Sequence, residues 1–185
     1  APPIDLSSTY PLPDLDEATA DLDALVGGAN HAHGSVYARL HNPTVARFED
    51  AFAPLESAEA AVAFGSGMAA MTACLLAAGQ HGRHVVAVRP LYGTSDHLLA
   101  SGCLGLQVSW TTADRIAEAI QADTSLVIIE SPGNPTLALV DIASVVAQAK
   151  GVPVLVDSTF ATPVLQRPLE LGATFAVHSA TKFIG

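Results

Sequence analysis

Basic residues are scarce. Eight lysines and arginines stand against eighteen aspartates and glutamates, giving a formal charge of −10. They form no stripe along the chain. That argues against nucleic acid and anionic membranes as partners, both of which need clustered cations. Cysteine is nearly absent: Cys74 and Cys103 are the only two. They lack the short spacing of a metal site and the density of a disulfide scaffold, so both read as reduced, buried thiols of a cytoplasmic protein. Only 14% of residues are charged, yet no apolar run reaches the length of a membrane span. Neither a repeat nor a low-complexity tract occurs. The start, Ala1-Pro-Pro-Ile-Asp5, does not read as a signal peptide. What the chain has in quantity is apolar surface. Hydrophobic residues make up 50% of its 185 positions, which favours a well-buried core, or a surface partly covered by a partner, over disorder. The length is that of one ordinary domain.

Residues 1–30 are rich in proline and aspartate and weakly patterned. They read as an extended arm with one short helix over 14–25. Such an arm needs another surface to lie on, and a second subunit is the expected one. Beyond it, apolar runs without polar alternation take turns with helical patterns. Strands are expected at 60–64, 84–88, 106–110, 125–130, 152–157 and 175–178. Helices are expected at 45–53 with Thr44 as N-cap, from about 65 to 78, and at 95–101, 114–122 and 141–150. Residues 166–172 read as a short helix or turn. This is the signature of an α/β fold, a mostly parallel sheet with helices on both faces, here preceded by an extended N-terminal arm. Residues 1–44 are expected to form the arm and an inter-subunit segment, and residues 45–185 the α/β domain.

Polar groups stand at the ends of these runs. Tyr37 and Arg39, two apart in an extended segment, point the same way and suit a phosphate with a hydroxyl and a forked charge; an ordinary loop is the alternative. Phe64-Gly-Ser66-Gly67-Met68 opens a helix, where free N–H groups and the dipole favour an anion. It lacks the P-loop lysine and the full dinucleotide fingerprint, and tight strand–helix packing explains it equally. Tyr92 follows a strand, where open α/β sheets place ligands, and its ring can stack on a flat group or simply pack on a helix. Asn134, held between prolines, either donates to a ligand oxygen or makes an Asx turn. Of the chain's two lysines, Lys150 ends a polar helix. Lys182 follows an apolar run, with the hydroxyls of Ser179 and Thr181 just before it. A lysine partly removed from water has a lowered pKa and attacks aldehydes. Asp157 closes the preceding apolar run. The aldehyde cofactor that most often needs a Schiff-base lysine together with an aspartate is pyridoxal 5′-phosphate. A surface lysine after a strand is the alternative.

Taken in order, the stretches Tyr37-Ala-Arg39-Leu-His-Asn-Pro-Thr44, Ser66-Gly-Met-Ala-Ala70, Pro90-Leu-Tyr92-Gly93, Glu130-Ser-Pro-Gly-Asn134-Pro-Thr136, Val156-Asp-Ser-Thr159-Phe160 and His178-Ser179-Ala-Thr181-Lys182-Phe183 resemble the pyridoxal-phosphate-dependent Cys/Met metabolism enzymes. That family includes cystathionine γ-synthase, cystathionine γ- and β-lyases, methionine γ-lyase and O-acylhomoserine sulfhydrylases. Each motif is weak, and the ordered set is specific. The resemblance implies the large domain of an aspartate-aminotransferase-like transferase. It implies catalytic roles for Lys182 as the cofactor lysine, Asp157 at the ring nitrogen and Tyr92 stacked on the ring. Ser66, Gly67, Met68, Ser179 and Thr181 would hold the phosphate, Asn134 would lie near the cofactor's O3′, and Thr159 near the ring. Tyr37 and Arg39 would complete the phosphate site of a neighbouring subunit, within a homo-oligomer that is a dimer of dimers. The implied chemistry is γ-elimination or γ-replacement on sulfur-containing or O-acylated amino acids. Alternatives are β-elimination on cysteine- or cystathionine-type substrates and a non-catalytic cofactor-binding fragment. Two departures matter. Methionine γ-lyases typically carry cysteine two residues after the stacking tyrosine, where this chain has Thr94. Family members are also about twice as long, so the chain is expected to lack the C-terminal domain and its arginine for the substrate carboxylate.

Overall fold

A computed structural model describes residues 2–29, 32 and 34–184. The chain divides into two compact units, residues 1–63 and 64–185, where length alone predicted one. In the first unit, helix α1 spans Leu15–Val26 and is capped by Asp14, whose side chain accepts from the Asp16 and Glu17 N–H groups. Helix α2 spans Pro43–Phe52. Its cap is Asn42 rather than the predicted Thr44. Asn42 Oδ1 accepts from Thr44 N at 2.9 Å, and Pro43 takes the first helical position, where its missing N–H costs nothing. Thr44 Oγ1 accepts instead from Asp5 N at 2.8 Å and pins the arm. Thr9 and Tyr37 form an isolated antiparallel bridge.

Residues 60–64 form no strand, against expectation. Their composition suits one, but a strand needs a ladder partner beside it. The Ala63 N–H donates to Glu49 Oε1 at 2.7 Å instead.

The second unit is a five-stranded parallel sheet. Its strands are β1 His84–Val88, β2 Gln107–Thr111, β3 Thr124–Glu130, β4 Val154–Asp157 and β5 Phe175–Val177, in the order β2-β1-β3-β4-β5. The alternation of side chains across β3 divides the core. Leu126 and Ile128 pack on one face against Met71 and Leu75 of helix α3 (Gly67–Ala78) and Leu99 of helix α4 (Gly93–Ala100). Val127 and Ile129 pack on the other against Ile116 of α5 (Ile116–Ala119) and Ile142 and Val145 of α6 (Ile142–Gln148). Both faces are therefore covered, which is why the strands are continuously apolar. Helix α5 is a single turn, shorter than its amphipathic pattern. Thr124 Oγ1 takes the Gln121 N–H that a longer helix would have used, and Gln148 Oε1 takes the first-turn N–H of Ile116. A turn of helix at Thr162–Leu165 (α7) follows β4, unforeseen from the sequence. Cys74 is half-buried and Cys103 exposed in a turn, so only one of the two thiols is sheltered as expected.

Candidate active site

The parallel order brings the carboxyl ends of β1, β3, β4 and β5 to one edge. There the loops after these strands, with the start of α3, enclose a cavity of about 270 Å³. Ser66, Gly67, Met68, Tyr92, Asn134, Asp157, Thr159, Ser179, Thr181 and Lys182 all line it. Tyr37 and Arg39 belong to the first unit, where the Arg39 guanidinium lies 4.9 Å from the centre of the Tyr37 ring.

Ser66 caps α3, its hydroxyl accepting from Ala69 N at 3.1 Å. The N–H groups of Gly67 and Met68, in the first turn, have no carbonyl inside the helix to meet. Gly67 is needed for its size. A Cβ there would sit 3.0 Å from Ser179 Cβ and 3.2 Å from its Cα. The helix start and the loop after β5 thus meet at one corner of the cavity.

Asp157 ends β4. Its Oδ1 accepts from Thr159 N at 3.1 Å and from Thr159 Oγ1 at 2.6 Å. Burial pushes its carboxyl above the usual aspartate range, against the two Thr159 donors and the nearby His178. The same Thr159 hydroxyl accepts from Ser179 N at 2.9 Å. One hydroxyl therefore ties the strand-end carboxylate to the loop carrying Ser179, Thr181 and Lys182. That loop turns back on itself, Lys182 N donating to Ser179 O at 3.0 Å. Phe183 packs edge-on against Phe160 with ring centres 5.8 Å apart. Lys182 lines the cavity but is an exposed residue. The described residues do not withdraw it from water, contrary to the reading of a lysine partly sheltered between apolar segments.

Tyr92, 42% exposed, is the residue before α4 and lends that helix no side-chain cap. Its backbone N–H donates to Glu130 Oε2. Glu130, expected at this edge from its place at a strand's end though without a chemical role, lines the cavity too. The signal for one was available: like Asp157, it is a carboxylate closing a buried apolar run. Ser95 is an unforeseen lining residue, its hydroxyl 3.5 Å from Met68 Sδ.

An open parallel sheet here gathers an anion-ready helix start, a half-buried carboxylate, an aromatic ring and a lysine around one crevice, the usual place for a small-molecule site in an α/β fold. The chain belongs to the Cys/Met metabolism PLP-dependent enzyme family, whose model matches residues 1–185. It is 56% identical to the L-methionine gamma-lyase of Streptomyces avermitilis, over all of this chain and 45% of that protein. The crystal structure of metB from Corynebacterium glutamicum superposes with a TM-score of 0.85 at 31% identity, covering 100% of this chain and 46% of that one. A Campylobacter jejuni structure described as an O-acetylhomoserine (thiol)-lyase, which contains N′-pyridoxyl-lysine-5′-monophosphate, has a TM-score of 0.83 at 26% identity, again over 100% of this chain and 46% of that one. The fold is thus that of the PLP-dependent transferases, and pyridoxal 5′-phosphate is the family's cofactor. The chain spans about half the length of the curated relatives it matches. Among the described residues no helix is long and apolar enough to cross a membrane.

Proposed function

We propose that the protein containing this chain is a pyridoxal-phosphate-dependent lyase or transferase that breaks the γ-carbon bond of sulfur-containing or O-acylated amino acids, by elimination or replacement. The observation that carries the reading is the convergence of Asp157, Tyr92, the α3 start and Lys182 on one cavity. Thr94, which counts against a methionine γ-lyase, is an exposed residue of α4's first turn, and the 56% identity to an L-methionine gamma-lyase weighs the other way.

Three features support the fit of the cofactor. The Gly67 and Met68 N–H groups, with the Ser179 and Thr181 hydroxyls, offer donors to a phosphate at a helix N-terminus. The Asp157 carboxyl, pushed up by burial, gains from a cation brought beside it, and a protonated pyridine nitrogen is one. Lys182 shares the same cavity. When bound, the cofactor supplies an aldehyde for the lysine and a ring that draws electrons from the substrate's Cα. Once the substrate's amine had displaced it from the aldehyde, Lys182 Nζ would be free to take the α-proton and to return a proton farther along the substrate. Asp157 would hold the ring's nitrogen charged, its carboxylate oriented by the two Thr159 donors. Tyr92 would stack on the ring, with its hydroxyl placed to exchange a proton. Asn134, which lines the same cavity, would lie near the cofactor's O3′.

In this reading residues 1–44 reach a neighbouring subunit, and Tyr37 and Arg39 complete that subunit's phosphate site. Residues 45–185 form the cofactor-binding domain. The exposed Ile4 and Leu6, at 75% and 89%, support an arm that finds cover on another copy. The assembly is a dimer of dimers in the cytoplasm. The test is a product assay on the intact protein with methionine and with cystathionine. 2-Oxobutyrate is expected. Pyruvate alone assigns β-elimination instead; no keto acid from either, and no thioether from an O-acylhomoserine and a thiol, despite bound cofactor makes the protein a non-catalytic binder.

A further inference from the structure

Glu130 is buried to 7% exposure at the end of β3, in register with Asp157 on β4. Its two oxygens serve two different loops. Oε2 accepts the N–H of Tyr92, in the loop after β1, and Oε1 accepts the N–H of Asn134 at 2.7 Å, in the loop after β3. Those are the loops that bring Tyr92 and Asn134 to the cavity. The Tyr92 side chain donates no cap to α4, so the Glu130 bond is what fixes its backbone from outside the helix. We propose that Glu130 is a positioning residue, whose carboxylate clamps both loops and thereby sets where the Tyr92 ring and the Asn134 side chain meet the cofactor. This rests on the cofactor site proposed above and adds a residue to it.

The chemistry requires a carboxylate. The two N–H groups reach two different oxygens, and a carboxylate supplies both where an amide supplies one oxygen and one N–H₂. Burial pushes the Glu130 carboxyl up and the Asp157 charge adds to that, while the Asn134 and Tyr92 N–H bonds pull it back toward the ionised form. Glutamine fills the same volume but turns an amide N–H₂ toward one of the two backbone donors. One loop must then let go. Aspartate keeps the charge but is one methylene short of spanning both.

The test uses the intact protein loaded with pyridoxal phosphate. Two readouts are followed: kcat, and the visible circular dichroism of the bound cofactor, which reports how the ring is held. Glu130→Gln is expected to bind the cofactor, to change its dichroism, and to lose about a hundredfold in kcat, the scale of a misplacement of about 1 Å. In a Tyr92→Ala background the same substitution is expected to cost less than about tenfold, because the ring it positions is gone. Glu130→Asp is expected to fall between wild type and Glu130→Gln in both readouts, and it serves if Glu130→Gln does not fold. Unchanged dichroism and kcat in the folded variants overturn the proposal. So does an equal loss with and without Tyr92. A wild-type protein that binds no pyridoxal phosphate at all is a different result, because it refutes the cofactor site itself.

Discussion

Gly67→Ala is the smallest change that tests the corner between the helix start and the lysine loop. The added methyl would lie 3.0 Å from Ser179 Cβ, 3.2 Å from its Cα and 3.3 Å from its Oγ. Such contacts are tighter than most Cβ atoms make, so one side must retreat by a few tenths of an ångström. Ser179 Cα is backbone, and a rotamer change does not relieve the contact. Overpacking of this kind costs about 1–3 kcal/mol. The retreat also draws the Gly67 and Met68 N–H groups away from the Ser179 hydroxyl, with which they would share a phosphate. Each 1.4 kcal/mol of that cost felt by the bound state weakens the cofactor about tenfold. Gly65→Ala is the control, since a Cβ at Gly65 meets nothing within 4 Å. Urea unfolding of the cofactor-free proteins and titration with pyridoxal phosphate give the two numbers. Gly67→Ala is expected to lose both stability and cofactor affinity, and Gly65→Ala to lose little of either. If the two variants behave alike in both assays, the close approach at this corner does not matter and the reasoning fails.

Asp157→Asn should stabilise the cofactor-free protein at neutral pH, because burial raises the folded-state pKa of Asp157 and its ionised form disfavours the fold. The difference from wild type should be absent in acid, where Asp157 is protonated in both states. It should grow as pH rises past the ordinary aspartate value and be complete above the raised one. The same variant should lose activity, for want of a charge beside the ring nitrogen. Ile128→Ala, at a fully buried position of β3, should cost about 2–5 kcal/mol in denaturant unfolding; a smaller loss would mean the centre of the sheet is less tightly filled than described.

Much of the cavity could be read from the chain because a parallel sheet sends every strand's carboxyl end the same way. A polar residue closing an apolar run therefore lands at one edge. Asp157, Tyr92 and Lys182 were legible for that reason, and the two-sided core was legible because β3 has no polar alternation. The failures share a cause as well. Residues 60–64 have a strand's composition, but pairing depends on a neighbour that local sequence does not name. Thr44 is a fair cap by type, yet Asn42 caps α2 and Thr44 holds Asp5, 39 residues away. The Glu130 clamp escaped because its partners are backbone N–H groups, one of them 38 residues off, and backbone groups leave no mark in a sequence. The sheltering of Lys182 was inferred from apolar neighbours along the chain, whereas exposure is set by what packs around it in space.

The chain has only two lysines that could hold a pyridoxal aldehyde, Lys150 and Lys182. Borohydride treatment of the intact, cofactor-saturated protein followed by peptide mass mapping separates them. A pyridoxyl group on Lys182 and none on Lys150 is the expected outcome. A label on Lys150, or on neither residue while the cofactor stays bound, would contradict the account.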